Sequence, residues 1–562
     1  MKAEGSIPVP MNDNPIVATA KQYWSLLLDS VLPRRKLLKK VRSQWGRPSE
    51  KDSFMASRYF DLMHDASGDT WVDDKTWNDL EFQEIFYRMD TTITPVGSQV
   101  LFARLRRYVS DAEALTHRYS IYMQLAKDVV LREALQLHLS KLSDDNNADL
   151  ADLLFGEPLE KSPNRALIYT WSLLSLVLLI SVAFFKVMAW LWLVVIFVNV
   201  FVSIRGASRE HRESEAMKHC ANLLDAADDL SNLHKLYPSF NYLERLRNEA
   251  PQRAVIRKAL FWFALSKMQP FSIIFSVLNF AFLFQLIIQA GTIQRFFRIR
   301  SKLTATYELV GGIDAIIAVA SCLQQYPHHC LPSFTEDRVL SITDGYHPLL
   351  PDGVSNSVRL VRRSALVTGS NMAGKTTFIK MLSSNAILAQ TVGFCLASAA
   401  TIPCSTVMAS IHGTHSVTSG KSHYFAEIEA IDSFIRNRAR GGIKILAIDE
   451  PFSGTNTVER IAVAHAVLES LGAHAIVLTT THDVELQDLL GDSYTLYHFQ
   501  ENPDVDGYFD YVLKRGPATA RNAIRLLERM GFPEEVVENA MSYAERDIFT
   551  TGDARLHVGR PS

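Results

Sequence analysis

At 562 residues the chain is long enough for several domains, and a composition of 48% hydrophobic and 21% charged residues is that of a globular protein. The formal net charge of -2 excludes a globally basic nucleic-acid binder and leaves only local basic patches for such contacts. Five cysteines (Cys220, Cys322, Cys330, Cys395, Cys404) show no C-x-x-C spacing, which argues against a zinc ribbon or disulfide framework and for reduced thiols in a cytoplasmic setting.

Residues 1–52 read as a polar, Pro-rich tail without a cleavable signal peptide, then an amphipathic segment ending in a basic run from Arg34 to Arg47. Such a run is ordinarily a solvated helix face; its functional readings are contact with anionic lipid or with DNA phosphate, lipid being favoured by the apolar segment that follows. Residues 53–160 carry apolar positions at i, i+3 and i+4, as at Val100, Leu101, Leu105 and Tyr108, and predict packed helices. In residues 161–205, Ala166–Phe185 is free of charge and about 30 Å long as a helix, enough to span a bilayer. Val187–Ile204 follows with only Lys186 between, and Trp190 and Trp192 stand near the turn. Lys161 and Arg165 at one flank and Arg205, Arg209 and Arg212 at the other place both ends in the cytoplasm. The segment therefore predicts a transmembrane helical hairpin, with a buried core hairpin as the alternative. Residues 206–340 return to long helices. Phe271–Ile293 is a third uncharged run; a single crossing there would separate the C-terminal part from cytoplasmic ATP, so the run must be paired, half-inserted or packed in the core. Asn279, Gln285 and Gln289 favour a core or interfacial helix. His328-His329-Cys330 reads as a Pro-flanked loop rather than a metal site.

From residue 341 to 517 short apolar runs alternate with helical stretches, the pattern of an α/β nucleotide-binding domain. The strand Ala365-Leu366-Val367-Thr368 runs into Gly369-Ser370-Asn371-Met372-Ala373-Gly374-Lys375-Thr376 and then a helical run, which is G-x-x-x-x-G-K-[ST] in its required strand–loop–helix setting. The glycines let backbone N–H groups close around a phosphate at a helix N-terminus. Lys375 is expected to reach the β- and γ-phosphates of ATP, and Thr376 to ligate Mg²⁺. A second apolar strand, Ile443–Ile448, ends in Asp449-Glu450. An acidic pair there needs a cation: Asp449 suits the Mg²⁺ shell and Glu450 the attacking water. A third strand, Ala475–Leu478, leads to Thr479-Thr480-Thr481-His482, with His482 as a γ-phosphate sensor. Lys375, Glu450 and His482 are thus the expected catalytic residues, and the expected fold is an α/β P-loop (ABC-type) ATPase domain on the C-terminal side of an all-α core and lever region.

These motifs together resemble the MutS mismatch-repair family, within the wider ABC-type ATPases. Thr368 to Thr377 is close to the family's TGPNMAGKST; Ser419-Gly420-Lys421-Ser422 with Tyr424-Phe425-Ala426-Glu427 matches its signature loop; Glu450 to Asn456 is similar to DEIGRGTS, Thr481-His482 to ATH, and Tyr346-His347-Pro348 to RHP. Asp90-Thr91-Thr92-Ile93-Thr94-Pro95-Val96-Gly97-Ser98 looks like the family's core turn, and Gly311-Gly312 to Tyr326 like the helix leading into the ATPase. In residues 518–562, Gly531 to Val537 resembles the closing helix–turn–helix, with Pro533 in a first turn. The resemblance implies a homodimer through the ATPase domain, in which Ser419, Gly420 and Ser422 of one subunit complete the other's site, and DNA held between helical levers.

Three departures qualify that expectation. Only residues 1–52 precede the core in this sequence, and no Phe-x-Glu wedge lies among them, so matched and mismatched duplexes are expected to bind alike, through phosphate contacts from residues such as Arg295, Arg298, Arg300 and Lys302. Gly353-Val354 stands where the family often has an aromatic for adenine. Membrane-like sequence interrupts the lever region. The resulting expectation is an integral protein of the cytoplasmic membrane with a cytoplasmic ATPase domain, ATP and Mg²⁺ as cofactors, and lipid and DNA as partners; the rival is a tethered mechanical ATPase with a protein or lipid load. Two clear spans are too few for a transporter's path.

Overall fold

The computed structural model describes residues 33–49, 55–64, 71–143, 148–157, 165–267, 271–411, 423–437, 442–500, 509–517 and 531–545. Two compact units emerge: a helical one (Met1–Trp71, Gln83–Pro327 and Thr391–Gly393) and a mixed α/β one (Val72–Phe82, His328–Gln390 and Phe394–Ser562).

The principal helices of the first unit are α1 (Pro95–Arg106), α2 (Arg165–Val182), α3 (Met188–Asn232), α4 (Ala250–Lys267), α5 (Phe271–Phe282), α6 (Phe284–Ile299) and α7 (Ser301–Leu323). α7 is the core: from Leu309 to Leu323 every residue is buried. α1 approaches it closely because Gly311 offers no side chain; a Cβ there would sit 2.6 Å from Val100 Cγ2. The turn before α1 is built on buried carboxylates. Asp314 accepts from the backbone N–H of Ile93 (3.1 Å) and Thr94 (2.7 Å) and from the Thr94 hydroxyl. Thr94 in turn caps α1 by accepting from Gly97 N–H at 2.9 Å, with Pro95 in the first turn. Asp90 accepts from the Ser98 and Thr92 hydroxyls.

The basic run forms the helix Pro33–Gln44. Arg42 is engaged with Glu133 (2.6 Å), whereas Arg35, Lys36, Lys39 and Lys40 are exposed. Arg295, Arg298 and Lys302 are exposed too. Arg300 is half-buried and donates to the carbonyls of Leu153 (3.0 Å) and Gly156 (2.7 Å).

α2 and the start of α3 form a helical hairpin turning through residues 183–187. The apolar stretches are Ala166–Val182 and Met188–Ser203, shorter than the expected runs because the turn takes up Phe184 and Phe185. They are also short of the roughly 20 residues usual for a span. Among the described residues one helix, α7, is long and apolar enough by composition to cross a membrane, and 94% of its apolar window is buried within the unit. The hairpin is the reverse case: Phe184, Trp190 and Phe197 are 79%, 75% and 74% exposed, and Leu173, Ile180 and Leu191 more than half. A run of such residues over two helices is more apolar surface than a monomeric soluble domain ordinarily shows.

The third uncharged run is not one helix. It breaks at Leu283, which adopts a left-handed backbone (φ 53°) between α5 and α6. The carbonyls freed at the end of α5 are taken by the hairpin: Ser175 Oγ donates to Ala281 O (2.6 Å) and Asn199 Nδ2 to Phe280 O and Ala281 O (3.0 Å each). Trp171 Nε1 donates to Asn199 Oδ1 at 2.8 Å, and Asn279 to Ser203 at 3.1 Å. Before α5, Arg253 is tied to Asp228 of α3 (2.7 Å); after α6, Arg300 is tied to the core carbonyls. The segment therefore leaves the helical core, reaches the apolar hairpin and returns.

The α/β unit holds two sheets, ordered β1-β5-β2-β3 and β10-β9-β4-β8-β7-β6. The second comprises β4 (Ser364–Thr368), β6 (Ser405–Ser410), β7 (Ile443–Asp449), β8 (Ile476–Thr481), β9 (Tyr494–His498) and β10 (Lys514–Arg515), parallel except for β10. The smaller sheet comprises β1 (Ser333–Thr335), β2 (Val339–Gly345), β3 (Asn356–Val361) and β5 (Ala399–Pro403). β4 and β8 are buried throughout and β7 at every residue but its first, as central strands covered on both faces are. The edge strand β6 is covered by the segment Val72–Phe82: Thr76 Oγ1 accepts from Ala409 N–H (3.0 Å) and Asp79 from Ile411 N–H (2.9 Å).

Candidate nucleotide site

Register brings the chemistry to one end of the large sheet. Thr368 pairs with Thr481, and Asp449 with Thr480, so the loops leaving β4, β7 and β8 open side by side at the strands' carboxyl ends. The loop after β4 requires glycine twice. Gly369 (φ 137°) would drive a Cβ to 2.7 Å from Phe499 O, and Gly374 (φ 98°) precedes α8 (Lys375–Thr391). Between them Asn371–Ala373 forms a single 3₁₀ turn; Met372 is 71% exposed and Thr377 is exposed.

Lys375 is 1% exposed, and its ammonium donates to Gly369 O (2.8 Å) and Ser370 O (3.0 Å). His482 Nε2 lies 3.2 Å and Glu450 Oε1 3.8 Å from the same Nζ. Burial pushes the Lys375 pKa down, and Glu450 and Asp449 push it back only in part. Glu450 Oε1 is 2.6 Å from His482 Nε2. Thr376 Oγ1 donates to both Asp449 oxygens (3.1 and 3.0 Å), and Thr480 donates to Asp449 as well. The structure thus brings Lys375, Thr376, Asp449, Glu450 and His482 together. A hydroxyl and a carboxylate converging at a helix N-terminus are hard oxygen donors, a fit for Mg²⁺, which takes one or two protein ligands and completes its shell with phosphate and water. Ser419, Gly420 and Ser422 lie outside the described residues.

Three features of the site go beyond the sequence motifs. The first is strain: Glu450 (φ 48°) and Phe452 (φ 63°) both hold left-handed backbones, each costing on the order of 1–3 kcal/mol unless held. Thr480 holds the first through its carbonyl (3.2 Å) and hydroxyl (3.1 Å), which accept from Glu450 N–H. The second is Glu427 in α9 (His423–Asn437), a buried carboxylate that accepts from Phe452 N–H and so fixes the turn carrying Glu450. In the sequence it is legible only as the end of the signature stretch Tyr424-Phe425-Ala426-Glu427. The third is a cavity of about 580 Å³ beside the loop, whose walls include His347, Leu350, Met372, Phe499 and Tyr511. Asn356 holds the Tyr511 segment by donating to Tyr511 O (3.0 Å) and accepting from Leu513 N–H (2.7 Å). His347 is kept neutral by burial, its pKa pushed down to about 4. Its Nδ1 accepts from Leu349 N–H, which leaves the proton on Nε2, and Nε2 has no partner among the described residues.

Comparison with known proteins bears on the same region. Residues 365–546 match the family model "MutS domain V". Over 266 residues the chain is 29% identical to the DNA mismatch repair protein MutS of Natronomonas pharaonis, covering 44% of this chain and 31% of that protein. It is 32% identical over 259 residues to the MutS of Leuconostoc citreum, covering 43% and 29%, and 30% identical over 255 residues to that of Leuconostoc mesenteroides, covering 43% and 30%. The C-terminal part is therefore homologous to the MutS ATPase region, and the chain spans about a third of the length of these relatives.

Proposed function

We propose that this protein is a membrane-anchored, MutS-like ATPase that works as a dimer. The observation that carries the reading is the convergence of Lys375, Glu450 and His482 on one loop end, with Glu450 held in a strained backbone by Thr480 and Glu427. With ATP bound, the N–H groups of the loop from Gly369 to Thr376 surround its β-phosphate, and Lys375 Nζ turns from the Gly369 and Ser370 carbonyls to the β- and γ-oxygens. Thr376 and Asp449 would hold Mg²⁺, which supplies charge neutralisation on those oxygens. Glu450 aligns the attacking water and takes its proton as the bond from the γ-phosphorus to the bridging oxygen breaks, leaving ADP and phosphate. His482 orients that carboxylate and faces the γ-phosphate. The neighbouring cavity takes the base, with Tyr511 and Phe499 as ring partners and His347 Nε2–H as donor, so the aromatic sought near Ser355-Asn356 is supplied by another loop.

A second copy would contribute Ser419, Gly420 and Ser422, with Ser422 donating to the γ-phosphate, so that ATP closes the dimer and hydrolysis reopens it. The exposed hairpin of α2 and α3 is read as the anchor in the cytoplasmic membrane, the ATPase unit facing the cytoplasm. Given the names of its relatives, duplex or branched DNA is the load we favour. The alternative, a tethered mechanical ATPase with a protein or lipid load, is favoured by the exposed apolar hairpin and by the engagement of Arg300 with the Leu153 and Gly156 carbonyls. A salt titration of duplex binding by the solubilised protein separates the two, since phosphate contacts lose affinity steeply with salt. The catalytic reading is tested by nucleotide binding and steady-state turnover. Lys375→Ala should lose tight ATP binding, and Glu450→Gln should retain it with turnover reduced at least about a hundredfold. Normal turnover in Glu450→Gln would remove Glu450 from the mechanism.

A further inference from the structure

We infer that the helical unit carries a second ligand site, for a phosphorylated nucleoside, in a cavity of about 620 Å³ lined by Arg104, Arg107, Arg118 and Arg245 together with aromatic rings. It lies wholly within that unit and shares no residue with the Lys375 site.

Four arginines face the cavity against two glutamates, Glu249 and Glu308. Glu308 is engaged by the Tyr59 hydroxyl at 2.8 Å. Among the described residues none of the four guanidinium groups has a carboxylate within ion-pair distance. Arg104 and Arg118 are steered by neutral carbonyls, donating to Gly312 O (3.1 Å) and Thr391 O (3.0 Å). Arg107 and Arg245 rest on rings, their guanidinium carbons 5.5 Å from the Trp71 centroid and 5.9 Å from the Tyr242 centroid. Burial lowers the Arg118 pKa, and the nearby Arg104 and Arg107 charges lower it further. Arg104 and Arg118 are half-buried, and like charges held there with few counter-charges are costly unless an anion joins them.

The shape of the site says which anion. Guanidinium forks match phosphate oxygens two at a time, so the charges select a phosphate. A cavity of this size is far larger than a phosphate ion and lies in the range that holds an organic ligand. Its remaining walls include the aromatic side chains Tyr59, Phe60, Trp71 and Tyr242, apolar surface of the kind that takes a flat heterocycle. Rings and guanidinium groups line one space, and a nucleoside monophosphate presents both complements in one molecule.

The test is equilibrium dialysis of radiolabelled AMP against the full chain in detergent micelles, comparing the wild type, Lys375→Ala and the double variant Arg107→Gln/Arg245→Gln. Both substituted arginines are exposed, and unchanged thermal melting of the double variant checks that its fold is kept. Saturable AMP binding that Lys375→Ala leaves within about twofold and the arginine pair weakens at least tenfold is the expected result, tenfold corresponding to 1.4 kcal/mol. Loss of AMP binding in Lys375→Ala would assign the nucleotide to the P-loop and overturn the proposal. So would the absence of saturation in the wild type up to about 1 mM, or binding indifferent to both arginines.

Discussion

Glu450 occupies a backbone conformation that glutamate rarely takes, and three groups keep it there: the Thr480 carbonyl and hydroxyl on its own N–H, and Glu427 two residues further along on Phe452 N–H. Glu427 touches no reacting atom in the reading above, so it positions. Glu427→Ala is therefore expected to cut turnover at least about tenfold while leaving the affinity for ATP within about twofold, because the loop around Lys375 is untouched. A parallel rise in the ATP dissociation constant would instead make Glu427 part of nucleotide binding. Glu427→Gln, which keeps an acceptor for Phe452 N–H, should recover much of the turnover, a rescue that a bulk packing role would not show. At this scale the sequence was informative where chemistry demands a fixed spacing: the loop from Gly369 to Thr376 and the strand ending in Asp449-Glu450 announce themselves. It marked Glu427 only as part of the signature stretch and was silent on Tyr511, because their roles depend on which turn or loop lies opposite in space.

Among the elements, the apolar ones separate by exposure rather than by composition. α7 and the α2–α3 hairpin are both apolar, yet the first is covered by other helices and the second presents Phe184, Trp190 and Phe197 outward. Charge-free spans were legible in the sequence, but which of them is covered was not, because burial belongs to the assembled unit. The break at Leu283 was also illegible. Leucine has no preference for a left-handed backbone, and what stabilises the break is Ser175 and Asn199, far away in the chain. The anchoring reading predicts that the protein fractionates with membranes and resists extraction by alkaline carbonate. Replacing Leu173, Ile180, Trp190 and Phe197 with serine or glutamine, all exposed positions, should release it while the helical core persists. Recovery of the unmodified protein in the soluble fraction would return the hairpin to the status of a packing element.

For the whole molecule, the helical unit interrupted by Val72–Phe82 and the α/β unit that this segment joins show a division that composition alone placed differently. The segment reads as part of the helical region, but its Thr76 and Asp79 meet the N–H groups of the edge strand β6. A dimer sharing its sites makes a prediction at this scale. Ser422→Ala and Lys375→Ala are each expected to turn over slowly alone. Mixed, they form heterodimers with one doubly damaged site and one intact site, and ATPase activity should partly recover. No recovery, with heterodimers demonstrated by differential tagging, would count against a site completed in trans.

The break at Leu283 bears on how such a chain can be made. Two backbone carbonyls, those of Phe280 and Ala281, depend on Ser175 and Asn199 from helices that precede them in the chain. Entering hydrocarbon without those partners, α5 would carry bare acceptors at a cost of several kcal/mol each. Synthesis from the N-terminus delivers α2 and α3 first, so the donors are already in place when the ribosome releases the segment whose carbonyls need them. On the anchoring reading, the order of helices along the chain is thus also a workable order of insertion, and the same helices read in reverse would not provide one.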